Sequence, residues 1–154
     1  MELTTRLNGR VLVMVALCLT LAACSTDFPD EPSDPAPTVI TEPPFTGTIA
    51  VNGAATLPFL ATASGSVDVT IMALADSHGP APVGIDGPLR VGLMLGLWNG
   101  TVCGVSVPTL FNDNAFVSTV ITGAATGPGP LCVRISDVGK LTEPVTFEIQ
   151  VKHP

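Results

Sequence analysis

Apolar residues occur along this chain in two different patterns. Residues 11–21 form a solid block, apolar apart from Thr20. From residue 45 onward the apolar residues alternate with polar ones instead. Val67, Val69, Ile71 and Ala73 stand against Asp68 and Thr70, and Val145, Phe147, Ile149 and Val151 stand against Thr146, Glu148, Gln150 and Lys152. A period of two places successive side chains on opposite faces of a strand, so each alternating run predicts a strand with one buried face. Such runs cover residues 45–51, 56–61, 66–74, 90–98, 101–107, 115–121, 131–137 and 144–151. In residues 90–98 the two faces are Val91, Leu93, Leu95, Leu97 and Gly92, Met94, Gly96, Trp98, which predicts a strand covered on both sides.

Turn residues punctuate these runs. Asn52-Gly53 and Asn99-Gly100 suit tight hairpin turns, because Asn and Gly tolerate positive φ. Asn112-Asp113-Asn114 reads as a further turn, and Pro58 marks its strand as an edge or a bulge. Residues 75–89 form a long Pro- and Gly-rich loop, a length uncommon unless the loop is functional or disordered. No segment after residue 45 has a helical period. About eight strands with turns between them predict an all-β fold, a two-sheet antiparallel β-sandwich.

The N-terminal block has a different meaning. It is eleven residues long, and spanning a bilayer takes about 20. Arg6 and Arg10 precede it and the small residues Ala22 and Ala23 follow it, which is the layout of a secretory signal helix. The order Leu21-Ala22-Ala23-Cys24 resembles the lipobox of bacterial lipoproteins. That resemblance implies cleavage before Cys24, acylation of Cys24, and anchorage in the cell envelope. In a Gram-negative cell, Ser25 in place of an Asp favours the outer membrane. The alternative is an ordinary secretory signal that leaves Cys24 as a free thiol.

Residues 24–44 hold six prolines, five acids and no base, with few large apolar residues. Such a segment cannot bury enough surface to offset its ordering entropy, so it predicts a disordered, extended tether. The expected organisation is thus a signal peptide at 1–23, a tether at 24–44 and a sandwich domain at 45–154.

Composition narrows the function. From Cys24 onward there are twelve acids and four bases, a formal charge of −8. Phosphate backbones require clustered Lys and Arg, so nucleic acid is excluded as a partner. Of the four cysteines, Cys18 leaves with the signal and Cys24 carries lipid. Cys103 and Cys132 remain, and in an oxidising compartment they pair as a disulfide or else pack as two buried thiols.

Little in the chain points to catalysis. Asp76, Ser77 and His78 supply the residue types of a hydrolase triad, but sequence neighbours rarely meet its geometry. The reading is a non-enzyme without a cofactor. The long loop offers Asp76, His78 and Asp86, and with Trp98 these make a candidate ligand-binding set. Asp76, Asp86, Asp113 and Asp137 are candidates for a composite calcium site, against the plainer role of Asp residues that cap turns.

Gly47-Thr48-Ile49, Asn52-Gly53, Phe59, the Gly65-x-Val67-x-Val69-x-Ile71 run, Cys132-Val133-x-Ile135-x-Asp137 and the final Val145-x-Phe147-x-Ile149-x-Val151 together resemble the bacterial pre-peptidase C-terminal domain. That family implies a jelly-roll-like sandwich appended to exported proteins, with an accessory or adhesive role and no common catalytic centre. The chain departs from the family at Gly129-Pro130-Leu131, where a Gly-x-Tyr is common. The expected function is therefore a membrane-anchored lipoprotein that presents a sandwich to an envelope protein or a polysaccharide. The alternatives are a calcium-dependent or loop-based hydrolase accessory and a purely structural envelope lipoprotein.

Overall fold

The computed structural model describes residues 35–81, 89–104 and 110–154. Within them lie eleven strands: β1 (Ile40–Thr41), β2 (Phe45–Ile49), β3 (Ala54–Ala61), β4 (Gly65–Asp76), β5 (Gly79–Pro80), β6 (Val91–Trp98), β7 (Cys103–Gly104), β8 (Phe111–Ala115), β9 (Val120–Ala125), β10 (Gly129–Ser136) and β11 (Val145–His153). They form two antiparallel sheets. One has β11 and β4 at its centre, with β1 and β2 on the far side of β11 and β5 and β9 on the far side of β4. The other runs β3-β10-β6, with β7 and β8 beyond β6.

The strongest alternations in the sequence make the central strands. On β11 the side chains of Val145, Phe147, Ile149, Val151 and His153 are all buried. The four apolar ones meet Val67, Val69, Ile71 and Leu74 of β4, and Leu93, Leu95, Val133 and Ile135 from the opposite sheet, in one core. Phe147 pairs across the strands with Gly47, and a Cβ on Gly47 would lie 2.8 Å from the Phe147 ring. The glycine is therefore the seat of that ring.

Alternation fails once within β4. The register slips between Glu148 and Ile149 of β11, which leaves Met72 as an extra residue. Such a bulge moves every later side chain to the other face. Met72 is accordingly exposed, and Leu74 is buried where Ala73 was expected to be.

Several sequence expectations are corrected. The turn at Asn52-Gly53 is tight, with Gly53 N–H donating to Ala50 O at 2.8 Å, but it joins no hairpin. β2 pairs with β11 and β3 pairs with β10, so the turn carries the chain from one sheet to the other. Asn112-Asp113-Asn114 lies within β8 rather than in a turn. The reversal comes later, at 116–119, where Thr119 N–H donates to Phe116 O and Ser118 has φ 75°. That turn also crosses between sheets, since β8 pairs with β6 and β9 with β4. Leu97 is 57 % exposed, because β6 reaches the rim of the sandwich there. The loop assigned to 75–89 is shorter at its start: β4 continues to Asp76 and turns into β5.

Two local expectations hold. Asn99-Gly100 makes the β6–β7 hairpin, with Asn99 Oδ1 accepting from the N–H groups of Thr101 and Val102 at 2.9 and 2.7 Å. β3, which contains Pro58, is an edge strand bonded only to β10.

Strand directions define two ends. The first end gathers β1, the close of β11, the 62–64 connection and the β6–β7 hairpin. The second gathers the Asn52 turn, the close of β4 and the entry to β11. Residues 40–42, read as part of the tether, are bound to the sandwich at the first end: Ile40 and Thr41 pair with His153 and Lys152, and Glu42 N–H donates to Val151 O.

Candidate functional site

The second end carries the main polar grouping. Asp76 closes β4 and His78 occupies the turn into β5; Glu143 sits in the connection before β11. The His78 backbone N–H donates to Asp76 Oδ1 at 2.8 Å, which fixes the turn. The His78 ring brings Nδ1 to 3.0 Å from Glu143 Oε1 and 3.6 Å from Asp76 Oδ1. One donor atom from each residue lies within 4.8 Å of the others, so the three could hold a metal ion. A nitrogen with two carboxylate oxygens suits a borderline cation such as zinc better than calcium, which takes oxygen ligands. The His78 side chain is 84 % exposed, so water reaches it freely.

The sequence set Asp76, His78, Asp86 and Trp98 is only partly assembled. Asp76 and His78 lie beside each other. Glu143 was not foreseen, because it lies far along the chain in Thr142-Glu143-Pro144, where nothing local sets it apart from a solvated acid. Trp98 is on the other sheet, half-buried at the first end and paired with Cys103. Asp86 lies outside the described residues, as does Cys24.

Among the described residues, the calcium candidates do not converge. Asp113 is exposed on β8, and Asp76 groups with His78 and Glu143 rather than with Asp113 or Asp137. Asp137 follows β10 and acts as a turn clamp. Its Oδ2 accepts from Asn52 N–H at 2.8 Å, and its Oδ1 accepts from Lys140 N–H at 2.8 Å and Leu141 N–H at 3.1 Å. The Asn52 bond foremost, with those from Lys140, Leu141 and Gly139, holds its carboxyl below the usual aspartate value, against a smaller opposing effect of burial.

Cys103 and Cys132 form a disulfide, with their Cα atoms 5.8 Å apart. The two residues sit on strands that flank β6, so β7 must fold over the outer face of β6 for them to meet. Gly96 allows this: a Cβ there would lie 2.2 Å from Gly104 O and 3.4 Å from Cys103 Sγ. Cys132 is fully buried beneath the resulting strap.

The first end also holds a shallow apolar cleft of about 220 Å³, lined by Leu97, Leu131 and residues 124–130. No titratable side chain lines it. It offers apolar contact and no group that could act as an acid or base.

No protein-family model matches this chain, and no curated protein matches it either.

Proposed function

We propose that this chain is a lipid-anchored lipoprotein of the bacterial cell envelope. Its sandwich, of the kind found in pre-peptidase C-terminal domains, binds or scaffolds an envelope protein or polysaccharide without catalysing a reaction. The carrying observation is the division of the two ends. The chain arrives from the Cys24 side at the first end, through β1, while Asp76, His78 and Glu143 lie at the second. β4 runs from one end to the other, twelve residues or roughly 40 Å at about 3.3 Å per residue. The polar loops therefore lie the length of the sandwich away from the strand at which the tether joins it. The disulfide supports export to an oxidising compartment.

The test has two parts. Metabolic labelling with a clickable fatty acid should tag the wild-type chain and not Cys24→Ala, and only the wild type should sediment with membranes. Full-length protein with its leader intact in the soluble cytosol would overturn the anchor. Affinity capture from detergent-solubilised envelope, comparing wild type with His78→Ala/Glu143→Ala, should then recover a partner that the double variant loses. Equal recovery by both would move binding away from the second end.

A further inference from the structure

Asp76, His78 and Glu143 are positioned by two paired strands and a turn. β4 and β11 lie side by side here, with Ala75 opposite Thr146 and Thr146 Oγ1 donating to Ala75 O at 3.2 Å. Asp76 comes directly after one member of that pair, and Glu143 stands just before the other's strand. Pro144 follows Glu143 and biases it to an extended backbone. Ser77 and His78 form the tip of the turn from β4 to β5, whose ends pair as Asp76 with Gly79. Gly79 has φ 120°, a conformation that L side chains rarely adopt, so a glycine there sets the turn. The His78 N–H bond to Asp76 Oδ1 closes it.

The spacing of the three donor atoms fits a cation better than a proton. His78 Nδ1 lies 3.0 Å from Glu143 Oε1 and 3.6 Å from Asp76 Oδ1. An N–H on Nδ1 can bond Glu143 alone, since 3.6 Å is beyond hydrogen-bond range. A cation on the Nδ1 lone pair would be in reach of all three. Zinc bonds of about 2.0–2.2 Å at tetrahedral angles set neighbouring donors about 3.4 Å apart. The two measured spacings straddle that value. The group is also not a run of solvated acids. The Asp76 and Glu143 side chains are only 16 % and 27 % exposed, so they form a half-buried floor with the imidazole ring outermost. Their donor oxygens lie within 4.8 Å of each other, and a divalent ion offsets both charges.

We propose that Asp76, His78 and Glu143 bind a divalent transition-metal ion of the zinc class, through three protein ligands and with a fourth position open to solvent. The nitrogen selects against magnesium and calcium, which take shells of six or more oxygens. Three ligands leave zinc one short of its usual four, as in sites where water or a donor from a second molecule completes the sphere. The exposed ring puts that open position at the surface. The chain's formal charge of −7 favours cations in its vicinity. The site is built from the sandwich alone. It stands whether or not Cys24 is acylated and whether or not a partner meets this end.

The test is isothermal titration of the full chain in detergent micelles with Zn²⁺, and separately with Ca²⁺ and Mg²⁺, with no partner present. Zn²⁺ should bind, with Ca²⁺ and Mg²⁺ weaker by about tenfold or more. Co²⁺ in place of Zn²⁺ should give the visible absorption of a four-coordinate ion, and the His78 Nδ1 resonance should move when Zn²⁺ is added. His78→Ala, an exposed change outside the core, should lose binding and keep the melting temperature of the metal-free chain. Glu143→Gln removes one charged ligand. Asp76→Asn removes another and keeps an oxygen for the His78 N–H. Each should weaken Zn²⁺ binding about tenfold or more, no less than the loss of an outer-sphere partner does. Asp113→Asn, an exposed acid outside the group, should leave it unchanged. Absence of Zn²⁺ binding, equal affinity in wild type and His78→Ala, or Ca²⁺ held as tightly as Zn²⁺ would each overturn the site. Zinc binding with no envelope partner captured would support the site and overturn only the partner at this end.

Discussion

Asp137 reaches back across 85 positions to Asn52, accepting its N–H at 2.8 Å through Oδ2, while the Asp137 N–H donates to Gly53 O at 2.9 Å. These two bonds explain why an Asn-Gly turn fails to make a hairpin. They hold the turn on the connection after β10, so the chain leaving it runs beside β10 instead of folding back on β2. The Asn52 φ of 58° is the local requirement; the partner is supplied by the other sheet.

Asp137→Ala should lower stability by about 1 kcal/mol, the cost of losing a side-chain cap on backbone N–H groups. The pH dependence follows from the direction of the Asp137 shift. A carboxyl held below its unfolded value stabilises the fold above the unfolded value, near 3.9, and that contribution is lost as pH falls through the lowered folded value. The gap between wild type and Asp137→Ala in urea unfolding should therefore be full at about pH 6 and shrink below about pH 4.

Opening the Cys103–Cys132 bond should cost about 3.5 kcal/mol on the chain-entropy view, given a sequence separation of 29. Denaturant midpoints of wild type and the Cys103→Ser/Cys132→Ser pair measure this. An unchanged midpoint would mean the strap contributes nothing to the folded body.

Gly96→Ala tests how that strap lies. Its Cβ would meet Gly104 O, which is backbone and cannot swing away, so β7 must lift. The expected loss is about 1–3 kcal/mol, as for other overpacked sites, with more free thiol on labelling of the unreduced protein. Gly104→Ala, where a Cβ meets nothing within 4 Å, should be close to neutral.

Leu93 and Leu97 share a strand and a face by sequence, but only Leu93 is buried. Leu93→Ala should cost about 2–5 kcal/mol, the usual range for a filled core site. Leu97→Ala should stay within about 0.5 kcal/mol. Equal losses in thermal or urea unfolding would contradict the rim position of Leu97.

The fold class was legible because alternation is a local property. Val145, Phe147, Ile149 and Val151 state which face is buried whatever they pack against, and the Asn99-Gly100 hairpin needs only its own residues. The pairing of Cys103 with Cys132 was one of the two outcomes left open by the count of thiols, the other being two buried free thiols. What local pattern could not convey was pairing between distant segments. Met72 is ordinary in sequence, and it becomes a bulge only because β11 slips past it. Asn112-Asp113-Asn114 has turn chemistry, but β6 supplies a ladder that draws it into a strand. Glu42 and Glu143 look like solvated acids until β11 brings His153 to one and the turn at the close of β4 brings His78 to the other. The residues alone determined that there would be strands and a buried stripe. Which strand lies beside which, and hence which acid meets which histidine, was decided by packing two sheets around one core, because those contacts join residues tens of positions apart.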